Sequence, residues 1–237
     1  MNIFYTCLVL FLAATTATYC QTTISIGPYA APKIGLNISS QPDLIVDDPF
    51  LGRHYVTSKG QSSYDIDFGI SLKVDLEHLK STLFFDGGYT STSTSFLLSD
   101  DKDGSRNFTT RVNYLTISPN YAAKWFFMGL TFGLPISATT SNSAGTVNID
   151  ADITDNLRMK ADLKMGCLFP LVKNDLGELD VFVTTALMIP PLFMDDPLPS
   201  PEHVILDYSS SYYENNSPRI FSCSLGLTYY FNALKTD

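Results

Sequence analysis

The sequence predicts an all-β protein, an eight-stranded antiparallel up-and-down transmembrane β-barrel, on three observations. Apolar and polar residues alternate with a period of two through most of the chain, as in strands with one apolar face. The connections between the alternating segments are in turn long and short, as in a meander of hairpins that crosses a membrane. No stretch after residue 20 holds about 18 consecutive apolar residues, so no transmembrane helix is expected.

Composition excludes several classes of protein. The 237 residues are 45% hydrophobic and 16% charged, so there is ample apolar material to bury and the chain is not disordered. The formal net charge of −9 argues against nucleic acid as a partner, because phosphates are bound by basic surfaces. A mean hydropathy of +0.08 is too low for a multi-helix membrane protein.

An export signal is predicted at the N-terminus. Residues 3–14 form an apolar run that is too short to span a bilayer, and small residues follow it. We therefore expect residues 1–20 to be a cleaved signal peptide and residues 21–237 to be a single barrel domain. The alternative is a buried N-terminal strand or helix. Lipidation of Cys20 is disfavoured, because Ala17 and Tyr19 do not fit a lipobox.

Each strand is predicted from its alternation. The clearest case is the second strand, where every even position from Tyr64 to Leu76 is apolar and the odd positions are polar or glycine. The eight predicted strands cover residues 24–38, 64–76, 83–89, 115–123, 126–136, 157–167, 179–189 and 221–231. Long polar connections are expected at 39–63, 92–108, 138–156 and 192–218, and short turns at 77–80, 124–125 and 170–178. Both termini then lie at the short-turn end.

Alternation alone fits two kinds of barrel. In a soluble barrel the apolar face points inward and binds an apolar ligand, whereas in a membrane barrel it faces lipid. The predicted strands are long enough to cross a bilayer with a tilt. Aromatic residues also collect at the predicted strand ends, where an interfacial girdle would lie. They are Tyr121, Trp125, Phe126, Tyr229 and Phe231.

The C-terminal strand resembles the signal by which the barrel-assembly machinery recognises bacterial outer-membrane proteins. Its polar, glycine and aromatic positions are occupied by Ser224, Gly226, Tyr229 and Phe231. A six-residue tail, Asn232–Asp237, is expected to follow the strand.

Residues Tyr114–Pro119 resemble a segment of the small outer-membrane barrel domains related to the barrel of outer-membrane protein A, with Ser118 inserted before the proline. The resemblance implies a place in the cell outer membrane, with lipid and the assembly machinery as partners. It implies no particular activity, because that family has no single function.

No catalytic or metal-binding pattern is present in the sequence. The three histidines, His54, His78 and His203, have no HExxH or CxxC context. The acidic segment from Ser99 to Ser105 does not match the EF-hand calcium-binding pattern. Its composition predicts a β-turn at the tip of a hairpin. We therefore predict no enzyme, no metal and no cofactor.

The polar faces of the predicted strands carry charges of both signs, which we expect to form salt bridges that plug the lumen. At eight strands the interior is just wide enough for side chains to fill it. The predicted lumen residues are Asp65, Asp67, Lys73, Asp75, Arg111, Arg158, Lys160, Asp162, Lys164 and Asp180. A narrow ion channel is the alternative.

The predicted function is envelope-structural, or an interaction with an extracellular ligand or protein through the long acidic loops, which are rich in Ser, Tyr, Asn and Pro. The alternatives are a secreted soluble barrel that binds an apolar ligand, a narrow channel, or a lipid-modifying enzyme.

Overall fold

The computed structural model describes residues 22–38, 44–48, 52–76, 79–100, 104–144, 147–152, 157–174, 176–190 and 219–236. These residues form ten β-strands. In chain order they are β1 (Thr22–Asn37), β2 (Leu44–Asp48), β3 (Gly52–Leu76), β4 (Ser81–Asp100), β5 (Gly104–Ala123), β6 (Phe126–Ala144), β7 (Val147–Asp152), β8 (Lys160–Asn174), β9 (Gly177–Met188) and β10 (Ile220–Thr236).

Eight long strands close into a ring. The order around the ring is β1, β10, β9, β8, β6, β5, β4 and β3, and β3 pairs again with β1. Every pairing is antiparallel. The short strands β2 and β7 flank β3 and β6 beyond the ring. The predicted fold class, an eight-stranded antiparallel up-and-down barrel, is confirmed.

Four strands run much further towards the long-connection end than the sequence predicted, and β8 continues to Asn174, into the predicted short turn at 170–178. β3 begins at Gly52, β4 ends at Asp100, β5 begins at Gly104 and β6 ends at Ala144. The predicted long connections at 39–63, 92–108 and 138–156 are therefore wrong over much of their length. These extensions are rich in Ser, Thr and Asn, so they carry little apolar alternation from which a strand could be recognised. The predicted connection at 192–218 lies outside the described residues.

Smaller differences occur at other segments. The expected C-terminal tail is largely part of β10, because Leu234 pairs with Ile24 and Thr236 pairs with Thr22. The acidic segment near Asp100 lies at a hairpin, with Asp100 opposite Gly104, as predicted.

The short turns are tight and contain an unusual backbone conformation. Lys80 and Lys124 adopt left-handed φ angles of 48° and 59°. This region is costly for residues other than glycine. The two turns join β3 to β4 and β5 to β6, and they define the short-turn end of the barrel.

The two faces of each strand differ in burial. On β5, even positions such as Val112 and Tyr114 are fully buried in the lumen, whereas Leu115 and Ile117 are exposed outside. Leu157 was predicted on the apolar outer face, but it is buried inside the barrel. Among the described residues there is no helix long and apolar enough to cross a membrane.

Candidate functional site: the barrel exterior and the charged lumen

The outer surface carries a broad band of exposed apolar side chains, called the apolar belt below. Its members come from all eight ring strands. Representative members are Ile26, Ile34, Ile66, Ile70, Phe85, Leu115, Ile117, Leu130, Leu134, Met165, Val183, Leu225 and Leu227. Contiguous apolar surface of this extent is unfavourable in water, and it matches the lipid-facing band of a membrane barrel.

The predicted aromatic girdle residues lie at the short-turn border of this belt. Tyr121, Trp125, Phe126 and Phe231 are exposed. The rings of Tyr229 and Phe231 pack edge to face with centroids 4.8 Å apart, and Trp125 packs in the same way against Phe169 at 6.2 Å. Amphipathic rings at this height suit the boundary between hydrocarbon and headgroups.

The architecture is that of a closed eight-stranded antiparallel β-barrel with an apolar outer surface. The apolar face points outward and the polar face points inward, which is the reverse of a soluble barrel that binds an apolar ligand. The interior is therefore the place where charged chemistry could occur.

Three lysines in the middle of the lumen each contact a carboxylate. The pairs are Lys33–Asp67 at 2.6 Å, Lys160–Asp162 at 3.1 Å and Lys164–Asp86 at 2.9 Å between nitrogen and oxygen. Lys160 also donates a hydrogen bond to Thr92 at 2.9 Å and lies 5.4 Å from the ring centroid of Tyr114. These pairs surround a polar cavity of about 40 Å³, which has room for water.

A second charged cluster lies nearer the short-turn end. One buried lysine, Lys73, faces three carboxylates. The nitrogen-to-oxygen distances are 3.9 Å to Asp75, 3.0 Å to Glu178 and 3.3 Å to Asp180. Lys173, which is exposed, also reaches Glu178 at 3.3 Å. Asp180 is completely buried, so the positive charge of Lys73 is needed there.

Apolar side chains pack inside the lumen on both sides of the three central ion pairs, and the Lys73 cluster lies beside the lower apolar cluster, where Lys73 pairs with Phe84. Towards the long-connection end the closing cluster contains Val112, Tyr114, Ala138, Leu157, Met188 and Ile220. Towards the short-turn end it contains Phe84, Ala122, Phe127 and Leu168, with Phe182 packed against it. Apart from the small central cavity, the interior described by the structure is therefore filled by side chains.

The structure brings most of the predicted lumen charges together. The lumen also holds three charged residues that the sequence pattern did not predict. Lys33, Asp86 and Glu178 complete the ion pairs described above. Each occupies the face of its strand opposite the belt, so the phase of alternation was a signal that could have identified them. Arg158 is half-buried and lies just before β8.

Arg111 is placed on the opposite face from the one predicted. It is exposed on the outside of β5, between the lumen-facing residues Thr110 and Val112. Its Nε donates to the hydroxyl of Ser93 at 3.3 Å. Residues at even positions of β5 face the lumen, so Arg111, at an odd position, faces outward.

Asp65 lies in an interruption of the β3–β4 ladder and not in a lumen ion pair. Pairing stops at Gln61 and resumes at Asp67. In between, Asp65 accepts hydrogen bonds from the amide of Ser93 at 2.7 Å and from the hydroxyls of Ser91 and Ser93 at 2.8 and 2.7 Å. A side chain thus replaces the missing bonds between the strands.

The residues of the predicted assembly signal are split between the two faces of β10. Ser224 lines the central cavity. Gly226 also faces inward, where an added Cβ would lie 2.2 Å from the ring of Phe182. Tyr229 and Phe231 face outward. The structure gives their positions, and recognition by the assembly machinery stays a prediction.

The histidines form no site in the part of the chain that the structure describes. His54 belongs to β3, and His78 and His203 lie outside the described residues. Among the described residues no group of three metal-ligating side chains comes together.

Comparison with known proteins gives only distant similarities. No protein-family profile and no curated protein sequence matches the chain. Among solved structures, Ail, the attachment invasion locus protein of Yersinia pestis, in complex with the heparin analogue sucrose octasulfate, is 10% identical, with a TM-score of 0.39 over 89% of this chain and 98% of Ail. The outer membrane protease OmpT from Escherichia coli is 11% identical, with a TM-score of 0.33 over 89% of this chain and 96% of OmpT. Values this low assign neither an activity nor a ligand.

Proposed function

We propose that this protein is an integral outer-membrane β-barrel without enzymatic activity, with an envelope-structural or surface-interaction role. The observation that supports the proposal is the apolar belt around a closed ring whose polar side faces inward. The lipid of the outer membrane would be its main partner, and the barrel-assembly machinery would insert it.

The structural half of this role is supported by the filled lumen. Ion pairs occupy its middle, and apolar clusters close it towards both ends. Steady conduction needs a continuous wet path, and a barrel of this size leaves little space for one.

The surface-interaction half is supported by the extensions of β3, β4, β5 and β6. They continue well past the belt and end at hairpins such as the one between Asp100 and Gly104. A rigid sheet that projects from the membrane is a suitable support for loops that contact a ligand or another protein.

Cell fractionation combined with heat-modifiability on a gel tests the proposal. We expect the protein in the detergent-extracted outer-membrane fraction, with anomalous migration until it is boiled. An epitope inserted between Asp100 and Gly104 should be accessible to antibody on intact cells. A protein recovered only from the soluble fraction would contradict the proposal.

A further inference from the structure

A hydrogen-bonded row of polar side chains marks the upper edge of the apolar belt on β4, β5 and β6. The hydroxyl of Tyr89 donates to Oδ1 of Asn113 at 2.6 Å, and Nδ2 of Asn113 donates to the hydroxyl of Ser137 at 2.9 Å. On β5 the belt residues Leu115 and Ile117 lie directly below this row. The row is therefore the level at which the barrel surface changes from lipid-facing to water-facing.

Arg111 is the next outward-facing residue of β5 above this row. Its side chain is exposed, and Nε is held by the hydroxyl of Ser93 at 3.3 Å. The carboxylate of Asp65 behind Ser93 already accepts three hydrogen bonds, so it is satisfied without the guanidinium. No ion pair joins Arg111 to another described side chain. The terminal nitrogens can thus meet a ligand at the membrane surface.

We propose that Arg111 binds the phosphate of a lipid headgroup in the outer leaflet, an inference that rests on the membrane placement proposed above. A guanidinium matches phosphate geometry with two parallel hydrogen bonds. The acyl chains of the same lipid would lie along Leu115 and Ile117. The hydroxyls of Ser137 and Thr139, exposed on the neighbouring strand, would border the headgroup.

Distance along the strand supports this assignment. Four residues separate Arg111 from Leu115, which corresponds to about 13 Å along a strand and to about 10 Å of height after a tilt of roughly 40°. The polar layer of a bilayer extends roughly 5–8 Å beyond the hydrocarbon region on each side, so a guanidinium about 10 Å above Leu115, which itself lies below the edge of the belt, falls within that layer. One exposed guanidinium holds free phosphate weakly in water, whereas acyl chains on the belt add the affinity that a lipid needs.

The test measures lipid preference in purified protein that has been refolded into phosphatidylcholine vesicles. Phosphatidic acid labelled on an acyl chain is titrated in, and energy transfer from a dye in the hairpin between β4 and β5 reports binding at the end of the barrel where Arg111 lies. The wild type should prefer phosphatidic acid over labelled phosphatidylcholine. Arg111→Gln should lower that preference about fivefold, and Arg111→Lys should retain part of it.

Controls separate the possible explanations. Lys59→Gln removes an exposed charge at the same end of the barrel but outside the proposed site, and Lys173→Gln removes an exposed charge near the opposite end, so both should keep the preference. Competition by inorganic phosphate as strong as that by the lipid would overturn the lipid assignment. An equal preference in wild type and Arg111→Gln would overturn the site.

Heat-modifiability is recorded on the same samples. If the protein fails to insert, the membrane placement itself is wrong and this inference fails with it. If the protein inserts but shows no preference that depends on Arg111, only the lipid site is wrong.

Discussion

At the scale of single residues, the side chains of Asp65 and Ser63 replace backbone hydrogen bonds that are missing between two strands. The interrupted β3–β4 ladder leaves the backbone of Ser93 without a partner residue on β3, although Ser93 still pairs with Arg111 on β5. Asp65 accepts the hydrogen bond from the Ser93 amide, and the hydroxyl of Ser63 donates to the Ser93 carbonyl at 2.6 Å. Both backbone polar groups of the buried residue Ser93 are therefore satisfied, which a membrane barrel needs close to lipid.

We expect Asp65→Ala to lower the free energy of unfolding by about 2–3 kcal/mol. The substitution removes hydrogen bonds to a charged acceptor and leaves the buried amide of Ser93 without a hydrogen-bond partner. The measurement is urea unfolding in lipid vesicles, followed by the fluorescence of Trp125. Ser62→Ala, at an exposed neighbouring position, is the matched control and should stay within about 0.5 kcal/mol of the wild type. Equal stabilities of the two variants would show that Asp65 does not hold the two strands together.

At the scale of the strand, depth in the membrane should decide the cost of a charge on β3. Ile70 and Tyr64 share the outer face, but Ile70 lies in the middle of the belt and Tyr64 at its upper edge. Their side chains are 58% and 74% exposed in the isolated chain, so neither substitution disturbs the core.

Ile70→Arg is expected to destabilise the inserted barrel by about 2–4 kcal/mol, and Tyr64→Arg by about 1 kcal/mol or less. The same unfolding assay in vesicles measures both. Equal losses for the two arginine variants would place the membrane at a different height on this strand.

The last strand gives a separate prediction about assembly. Phe231→Ala should reduce the amount of inserted protein in cells, while the stability of refolded protein changes by less than about 1 kcal/mol, because the ring is half-exposed. Leu225→Ala, on the same strand and face but outside the proposed signal, is the control. Reduced stability in vitro that accounts for the whole loss in cells would assign Phe231 a packing role only.

Deleting the C-terminal residues from Asn232 onward should destabilise the barrel. These residues pair with the start of β1, from Thr22↔Thr236 to Ser25↔Asn232. The deletion leaves the N-terminal end of β1 paired on one side only. A truncated protein as stable as the full chain in the vesicle assay would contradict the observed pairing.

At the scale of the whole molecule, we expect that the barrel does not conduct ions. Purified protein in planar bilayers should show no steady conductance, because apolar clusters close the lumen on both sides of the ion pairs. Removing two carboxylates, Asp67→Ala with Asp162→Ala, leaves Lys33 and Lys160 without their ion-pair partners. The expected result is a loss of about 3–5 kcal/mol in unfolding free energy and no larger pore.

The matched control removes two exposed charges, Lys59→Ala with Lys173→Ala, and should leave stability almost unchanged. Stable, ion-selective conductance of the wild type, altered by the aspartate pair without loss of stability, would replace the closed barrel with a channel.

Local pattern in the chain was enough to identify the eight strands of the ring. Side chains of a strand alternate between its faces, so Tyr64–Leu76 and Phe126–Ile136 reveal both a strand and its lipid-facing side without knowledge of any neighbour. The same alternation gave the strand number and the end at which the short turns lie.

Ring closure decided what local pattern could not. The contact between Lys73 and Asp180 joins residues that are distant in sequence, so it follows from strand order and stagger around the barrel. The place of Asp65 between two strands depends on an interrupted ladder, which leaves no mark in hydrophobicity. The outward position of Arg111 follows instead from the alternation of β5, whose odd positions Leu115 and Ile117 also face outward. The polar extensions of β4 and β5 are stabilised as strands by pairing with each other. Neither segment shows this pairing in its own sequence, so the extensions could not be predicted locally.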